Sequence, residues 1–352
     1  MNVVVKNWMT DTSYRSSYYD PFFQDAEQFG AIVQAIAVEV PEVVRSSAWQ
    51  DFTATNPRPT LGTYTIYLPV VHTQYYEKSV SWELPICVTG EQWDTAFKSE
   101  AGITQFVAYI LMCVDNALVT HIENMNNINR NNFIIEKVSY ANSVDATGIH
   151  VVNLTELAYK DGAISLASGA SSITTEEYLA STSALLNGTK YLRLYKDYVS
   201  RMSTLFNTKQ LKRFTPKDRL VLQVNSHFDE ILNTVAYSDT YHNDIVKLPG
   251  FQSVPYWQGE GTDLSWDSVT KVVGISASTA SGDAEPTTVT NVVAFMCDKW
   301  AIMHTIKQHR VAAKVFEPED LIQYYYQYRD MYMNNLTMNA IVFVVDDYTP
   351  ET

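Results

Sequence analysis

Hydrophobic positions repeat with helical spacing between Ser99 and Met125. The apolar residues recur at intervals of three and four, which places them on one side of an α-helix. At about 1.5 Å per residue, such a helix would be roughly 40 Å long, which is long for one compact domain. We predict that the asparagine-rich segment NMNNINRNN ends it. The residues of this apolar stripe are Ile103, Phe106, Val107, Ile110, Leu111, Val114, Leu118 and Ile122.

A different pattern, alternation with period two, occurs within GTYTIYLPVVHTQYYEKSVSWELP, residues 62–85. The alternation covers residues 64–68 and 80–84, on either side of a polar middle. Two alternating segments around a polar middle predict a β-hairpin. Pro69 and Pro85 cannot donate a hydrogen bond to a neighbouring strand, so both strands are predicted to lie at a sheet edge or a bulge.

The predicted hairpin has no evident apolar partner left over in the chain. A two-stranded hairpin is only marginally stable in water, and one with strands of about ten residues would reach about 30 Å. We therefore predict that its aromatic side chains are buried on another copy of the protein. The candidate intersubunit contacts are Tyr64, Ile66, Tyr67, Tyr75, Tyr76 and Trp82.

The other segments predict a mixture of helices and strands. The stretch GAIVQAIAVEV predicts one helix within an N-terminal arm. Thr174 and Glu177 have the spacing of a capping box, ahead of a short helix that Gly188 is predicted to end. Further helices are predicted in 191–206, in SHFDEILNTVA and in DKWAIMHTI. Strands are predicted in NFIIEKVSY, IHVVNL, RLVLQV, NVVAFMC and 340–345.

Two of these strands also predict topology. NVVAFMC is apolar throughout, which is typical of a strand buried on both faces at the centre of a sheet. The strand at 340–345 is equally apolar and comes last. We expect it to pair with the strands that follow the long helix, which would make that domain discontinuous.

The composition is that of a folded protein with a substantial apolar core. Of its 352 residues, 46% are hydrophobic and only 18% are charged, while 23 tyrosines and 7 tryptophans bring the aromatic share to 12%. These two residue types suit surfaces that are dry on one side and wet on the other. The excess therefore indicates either extensive subunit contacts or a tyrosine-rich core.

A formal net charge of −14 argues against a protein that holds nucleic acid by neutralising phosphates. The densest basic segment, KQLKRFTPKDR, contains Lys209, Lys212, Arg213, Lys217 and Arg219 beside Asp218. We interpret it as a solvated loop, with contact to an acidic neighbouring subunit as the alternative.

Neither a cofactor nor a metal site is predicted. Nucleotide-binding, nucleophile-elbow and zinc-protease motifs do not occur, and Cys87, Cys113 and Cys297 are too far apart for a C-x-x-C pair. His304 and His309 are five residues apart, and on the predicted helix they would point in different directions. The apolar run FVAYILMCV ends at Asp115, which is too short to span a membrane, and no signal peptide is predicted.

One segment does suggest catalysis: NSHFDE, with Ser226, His227 and Asp229. A catalytic triad is normally assembled from distant segments, and neighbours on one helical turn rarely reach its geometry. We therefore predict ordinary capping, with Ser226 as N-cap and Asp229 at the third helical position. TYHNDI, with His242 and Asp244, is interpreted as a polar turn.

The order of these elements resembles that of tailed-bacteriophage major capsid proteins with the HK97-like fold. The resemblance implies an α+β protein in which the E-loop, an extended hairpin, lies over the adjacent subunit. It assigns residues 1–50 to an N-terminal arm, 51–88 to the E-loop, 89–150 and 312–352 to a discontinuous P domain with a spine helix at about 99–125, and 151–311 to an A domain. A lysine–asparagine cross-link known in some members is not assigned.

The resemblance also implies a function. Hexamers and pentamers would close an icosahedral shell around packaged double-stranded DNA, without catalysis, a cofactor, a membrane or sequence-specific DNA binding. As no long charged helical segment precedes the arm, we expect a separate scaffolding protein, together with a portal and assembly in the host cytoplasm. The alternatives are an encapsulin-like compartment shell, which has the same fold, and an α+β hydrolase that uses Ser226, His227 and Asp229.

Overall fold

The structure is a computed structural model that describes residues 33–40, 70–76, 79–91, 100–143, 149–237, 250–258, 263–275, 286–317 and 320–350. The chain divides into two compact units, Gly30–Lys78 and the remainder. The strands are β1 (Val33–Val38), β2 (Val71–Tyr76), β3 (Val80–Thr89), β4 (Val151–Asn153), β5 (Leu220–Asn225), β6 (Gln252–Val254), β7 (Val272–Gly274), β8 (Thr287–Val289), β9 (Val292–Asp298), β10 (Ile302–Phe316), β11 (Leu321–Asn334) and β12 (Ala340–Val344).

The described helices differ greatly in length. The first has 44 residues and would be about 66 Å long at about 1.5 Å per residue. The α-helices are α1 (Glu100–Ser143), α2 (Leu154–Lys160), α3 (Thr175–Ala180), α4 (Thr182–Val199), α5 (Ser226–Ile231) and α6 (Trp266–Val269). A π-helical segment, Leu232–Tyr237, continues α5.

A five-stranded sheet forms the centre of the larger unit, in the order β4-β12-β9-β5-β6. All seven residues of β9 are buried, as predicted for a central strand. β12 pairs with β9 in antiparallel and with β4 in parallel. The last strand therefore does return to a strand that follows the long helix, as expected.

Side chains of β12 alternate between two apolar cores. Ile341 and Phe343 face the core that contains residues of α2 to α5, whereas Val342 and Val344 face the core that contains Phe133 and its neighbours on α1. Full burial of such side chains contributes about 1.5–3 kcal/mol each relative to exposure. The sheet is thus covered by short helices on one face and by the second half of α1 on the other.

The long helix extends well past its predicted end. Its asparagines do not break it because their side chains form bonds within the helix or to another segment. Asn127 Oδ1 accepts from Arg130 Nη2 of the same helix at 2.7 Å, and Asn132 Oδ1 accepts from the backbone N–H of Ile275 at 2.8 Å. NFIIEKVSY is therefore helical, not a strand, and Phe133 is fully buried. Tertiary packing overrides the weak helix preference of these residues.

Other sequence predictions are also corrected. GAIVQAIAVEV contains strand β1 where a helix was predicted. DKWAIMHTI leads into β10, which pairs with β11 from Ile302 to Phe316 with a register shift between Ile306 and Gln308. Gly188 lies inside α4 and does not end a helix. The capping box of Thr174 and Glu177 is confirmed, and it begins α3.

The predicted hairpin is wrong in two respects. Its polar middle is a strand, β2, which pairs with β1. Its second strand, β3, pairs with β11 in a sheet of order β10-β11-β3. Pro85 does lie on a strand at the edge of the described part of that sheet, as its missing N–H requires. The first predicted strand, 64–68, lies outside the described residues.

The expected domain boundaries remain predictions. The two partners of β12 lie within 151–311, the segment expected to form the A domain. The boundary expected after Val311 falls inside β10.

Candidate functional site

The six predicted intersubunit residues fall into three groups. Tyr64, Ile66 and Tyr67 lie outside the described residues. Tyr75 and Tyr76 lie on β2, in the smaller unit. Trp82 lies on β3, in the larger unit.

One face of the β1–β2 pair exposes apolar side chains to solvent. The register places Ile36 opposite Thr73, Val38 opposite Val71 and Gln34 opposite Tyr75, so these residues share a face. We call Ile36, Val38, Val71 and Tyr75 the apolar ribbon face; their exposed fractions range from 49% to 64%. Contiguous exposed apolar surface is typical of an interaction site, and two strands alone are marginal in water.

Polar contacts hold the two strands of this pair together. His72 Nε2 lies 2.9 Å from Glu39 Oε1, and Gln34 Nε2 donates to the Tyr75 hydroxyl at 3.3 Å. Tyr76 is half-buried, and burial raises its pKa to about 12. The phenol of Tyr76 therefore stays neutral at physiological pH.

Trp82 has partners within its own chain. Its ring stacks on Tyr328 with 4.4 Å between centroids, and its indole N–H donates to Asp330 Oδ2 at 2.8 Å. His121 of α1 lies against the same ring, with 4.2 Å between centroids. The prediction that the hairpin's aromatic side chains have no apolar partner in this chain is therefore wrong for Trp82. Its strand, β3, pairs with β11 and not with residues 64–68.

Asp330 is the buried acid at the centre of this contact. Its Oδ2 also accepts a hydrogen bond from the Tyr332 hydroxyl at 3.4 Å and lies 3.9 Å from His304 Nε2. Burial raises the pKa of Tyr332, and the nearby carboxylate raises it further. Burial lowers the pKa of His121, while the charge of Asp330 opposes that shift. The cluster ties α1, β3, β10 and β11 together.

His304 and His309 lie on a strand, not on the predicted helix. His304 stacks on Tyr332 and His309 on Tyr328, with 4.6 and 4.4 Å between ring centroids. Among the described residues, no group of three or more His, Cys, Asp or Glu side chains could hold a metal ion. The three cysteines are free thiols.

The NSHFDE segment has the geometry of a helix cap. The N-cap is Asn225, one residue earlier than predicted, and its Oδ1 accepts from the His227 N–H at 3.0 Å. Ser226 Oγ donates to the carbonyl of Pro255, and the His227 ring packs edge-on against Trp266. No hydrogen bond joins Ser226, His227 and Asp229, all of which the structure describes, so nothing here supports the hydrolase alternative. His242 and Asp244 lie outside the described residues.

The basic run 209–219 is partly neutralised within the chain. Arg219 Nη2 lies 2.8 Å from both carboxylate oxygens of the buried Asp298, and its guanidinium lies 3.6 Å from the centre of the Trp300 ring. Lys217 Nζ lies 2.6 Å from Asp197 Oδ1. Lys209 and Lys212 are exposed.

Helix α1 is much longer than the apolar run FVAYILMCV that it contains. Over Gln105–Ser143 its length and composition would be enough to cross a membrane. Only 6% of its most apolar window is buried, whereas the second half of α1 contains the fully buried Arg130 and Lys137, and such cations are costly inside a membrane.

Comparisons with known proteins agree on one class of protein. Residues 1–344 match the family model for Phi29-like phage major capsid proteins. A chain from the capsid structure of Staphylococcus phage Andhra has a TM-score of 0.61 at 9% identity, covering 98% of this chain and 88% of that one. A chain from a structure of native bacteriophage P68, described as head fibre and inner core protein gp22, has a TM-score of 0.60 at 9% identity, with the same coverage of 98% and 88%.

A third solved chain extends the likeness. It comes from the capsid structure of cyanophage P-SCSP1u and has a TM-score of 0.51 at 10% identity, covering 98% of this chain and 92% of that one. No curated protein matches the sequence. At these identities the structural likenesses concern the fold, and the mixed helix and strand fold expected from the HK97-like resemblance is confirmed.

Proposed function

Because the chain belongs to the family of Phi29-like phage major capsid proteins, we propose that its copies form hexamers and pentamers that close an icosahedral shell. The protein is a structural component of the phage capsid, and the proposal concerns how it is used there. The shell encloses the double-stranded DNA genome of a tailed phage. It assembles in the host cytoplasm with a separate scaffolding protein and a portal, and needs neither catalysis, a cofactor nor a membrane.

The observation that carries this proposal is the apolar ribbon face. A neighbouring subunit that covers it would remove the exposed side chains of Ile36 and Tyr75 from water, which favours association by about 25 cal/mol per Å² of apolar surface. Tyr64, Ile66, Tyr67 and Tyr75 contribute to the same contact in this proposal, and Tyr76 contributes to subunit contact from the other face of the β1–β2 pair. Trp82 is half-buried within its own chain. In this proposal the exposed part of its ring contacts the neighbouring subunit.

The net charge fits this use. A subunit with a charge of −14 repels phosphates, so a shell wall made of it leaves the packaged DNA mobile. DNA is then enclosed and not bound at specific sites.

Electron microscopy of the purified protein tests assembly directly. We expect closed shells, or rings of five and six subunits, from protein expressed alone or with its scaffold. Monomers or dimers under every condition would contradict the proposal.

A pair of substitutions tests the ribbon face. Ile36→Thr with Val71→Thr keeps β-branched side chains but lowers apolarity, so the strands should form while shell yield falls at least about tenfold. The control is Leu264→Thr with Phe214→Thr, which alters exposed apolar residues elsewhere and should leave the yield within about twofold. Normal shells from the ribbon variant would exclude this face as an essential contact.

A further inference from the structure

Two arginines that are distant in sequence meet on one face of the β10-β11-β3 sheet. The register pairs Arg329 with Gln308 and Ser81, and Gln327 with Arg310 and Glu83. Arg310 and Arg329 are therefore diagonal neighbours on the face opposite Trp82 and Tyr328, at a typical separation of about 7–8 Å. An open cavity of about 280 Å³ is lined by residues of their side of the sheet and also by Trp82 and Tyr328 of the same strands. We call it the arginine cleft: Ser81, Glu83, Gln308, Arg310, Gln327 and Arg329.

The cleft carries positive charge that its own acid does not neutralise. Both arginines are exposed, and within the described part of the chain neither forms an ion pair. Glu83, the acid of the cleft, instead accepts from Gln327 Nε2 at 2.7 Å. In contrast, Lys160 and Lys217 pair with acids of their own chain.

The chemistry of the cleft is suited to carboxylates. A guanidinium presents a planar fork of donors that can bind both oxygens of one carboxylate. The side-chain amide of Gln308 adds a donor and an acceptor beside them. Strand pairing holds the backbone of all six residues in register. The Cα atoms that carry the two arginine side chains are therefore fixed relative to each other.

The net negative charge of the chain indicates which group binds in the arginine cleft. Each copy has 39 acidic and 25 basic residues, so copies repel one another unless positive sites meet negative ones. We infer that the arginine cleft binds side-chain carboxylates of an adjacent copy of this chain, an inference that rests on the proposed self-assembly. DNA phosphate is also a bidentate partner of guanidinium, but two arginines beside one acid provide little attraction for a polyanion against a net charge of −14.

Substitution of both arginines tests the inference. Arg310→Gln with Arg329→Gln should raise the protein concentration for half-maximal assembly about tenfold at 50 mM salt, as expected for two exposed ion pairs. The difference should shrink at 500 mM salt, where exposed charges are screened. Light scattering and sedimentation of the purified protein measure both effects, and urea unfolding checks that the variant folds.

The matched control removes the same charge elsewhere. Lys160→Gln with Lys217→Gln also deletes two exposed cations, but these are paired within their own chain, so assembly should change less than about twofold. Arg310→Lys with Arg329→Lys should retain part of the wild-type assembly because the charge remains. If the cleft variant assembles as the control does, the inference is wrong, while wild-type shells would still support the proposed function. Failure of the wild type to assemble would contradict the proposed function, and this inference with it.

Two further results would assign the cleft to another partner. If wild-type protein binds a 30-base-pair DNA at 50 mM salt and the cleft variant does not, the occupant is phosphate and the inference is overturned. If the cleft variant is defective only when a scaffolding protein is present, the carboxylates belong to the scaffold, which also overturns it. A defect in scaffold-free assembly without DNA binding supports it.

Discussion

At the scale of single residues, Lys137 is a cation inside an apolar core. It is fully buried on α1, and its Nζ donates to the carbonyl oxygen of Phe206 at 3.1 Å. Burial lowers its pKa to about 7, and the nearby Cys297 thiolate would act in the opposite direction. Phe206 O also accepts from the backbone N–H of Ala340 at 3.0 Å, so it keeps a donor if the lysine is removed.

This pKa predicts a pH dependence of stability. In the unfolded chain a lysine keeps its proton to about pH 10.4, whereas Lys137 in the folded protein loses it near pH 7. Between these values the unfolded state binds more protons, so the free energy of unfolding rises with pH. We expect Lys137→Met to flatten this rise and to stabilise the protein at pH 6 by on the order of a few kcal/mol.

Urea unfolding of the unassembled protein at pH 6, 7.5 and 9 measures the effect. Lys160→Met, at an exposed position, is the control and should keep the wild-type slope. A Lys137→Met variant with the wild-type slope would mean that this lysine does not titrate in the folded protein.

Arg310 and Arg329 form a site that no local sequence pattern indicates. The charges of the basic run 209–219 lie close together in sequence, yet Arg219 and Lys217 pair with acids of their own chain. The two arginines are separated by 18 residues and become neighbours only because β10 and β11 pair in one particular register.

At the scale of elements, the contact between α3 and α4 explains Gly188. A Cβ atom at this position would collide with the hydroxyl of Tyr178, a fully buried side chain of α3. The glycine therefore serves close helix packing and not helix termination. The Tyr178 hydroxyl has no hydrogen-bond partner among the described residues, and burial raises its pKa.

This contact predicts a compensating pair of substitutions. In Gly188→Ala, overpacking should cost about 1–3 kcal/mol and the better helix preference of alanine should return roughly 1 kcal/mol, so we expect a net destabilisation of up to about 2 kcal/mol. Tyr178→Phe removes an unsatisfied hydroxyl and should be neutral or stabilising. Gly188→Ala should lower the free energy of unfolding by less in the Tyr178→Phe background than in the wild-type background.

Urea denaturation of the four proteins forms a double-mutant cycle. Additive effects of the two substitutions would show that the alanine methyl does not meet the hydroxyl. The Leu154 side chain, the next nearest group to that methyl at 3.6 Å, would then be the contact to examine.

At the scale of the whole molecule, acidity limits what the capsid protein can bind. A net charge of −14 opposes the counterion release that drives non-specific DNA binding. The buried Arg130 does not favour DNA binding, because its guanidinium donates to Asn127 Oδ1 and to the carbonyl oxygen of Trp257 inside the protein.

We therefore expect no binding of a 30-base-pair DNA at about 150 mM salt up to roughly 10 µM protein, since ordinary non-specific affinities arise from phosphate neutralisation. Fluorescence anisotropy of labelled DNA measures this, with a basic DNA-binding protein as positive control. Submicromolar affinity would imply a basic surface that the described residues do not reveal.

The sequence predicted part of the surface that we propose to lie between subunits. Tyr75 and Tyr76 were identified from their position in an aromatic, alternating segment, and their contact with another copy remains a prediction. Ile36 and Val38 were missed because GAIVQAIAVEV was interpreted as helix, although its β-branched residues were a signal for a strand. Trp82 was assigned to a hairpin, while its actual neighbours, Tyr328 and Asp330, lie about 250 residues further along the chain.

By itself, the sequence determined the long amphipathic helix, the buried strand β9, the returning strand β12, the capping box and the capsid family. These features depend on periodicity, capping and element order, which are local or sequential properties. Only the tertiary structure decided that residues 132–140 continue α1, that residues 302–306 belong to a strand, and that β3 pairs with β11. Those choices depend on contacts between distant segments, because short apolar runs suit a helix or a strand equally well until a partner buries them.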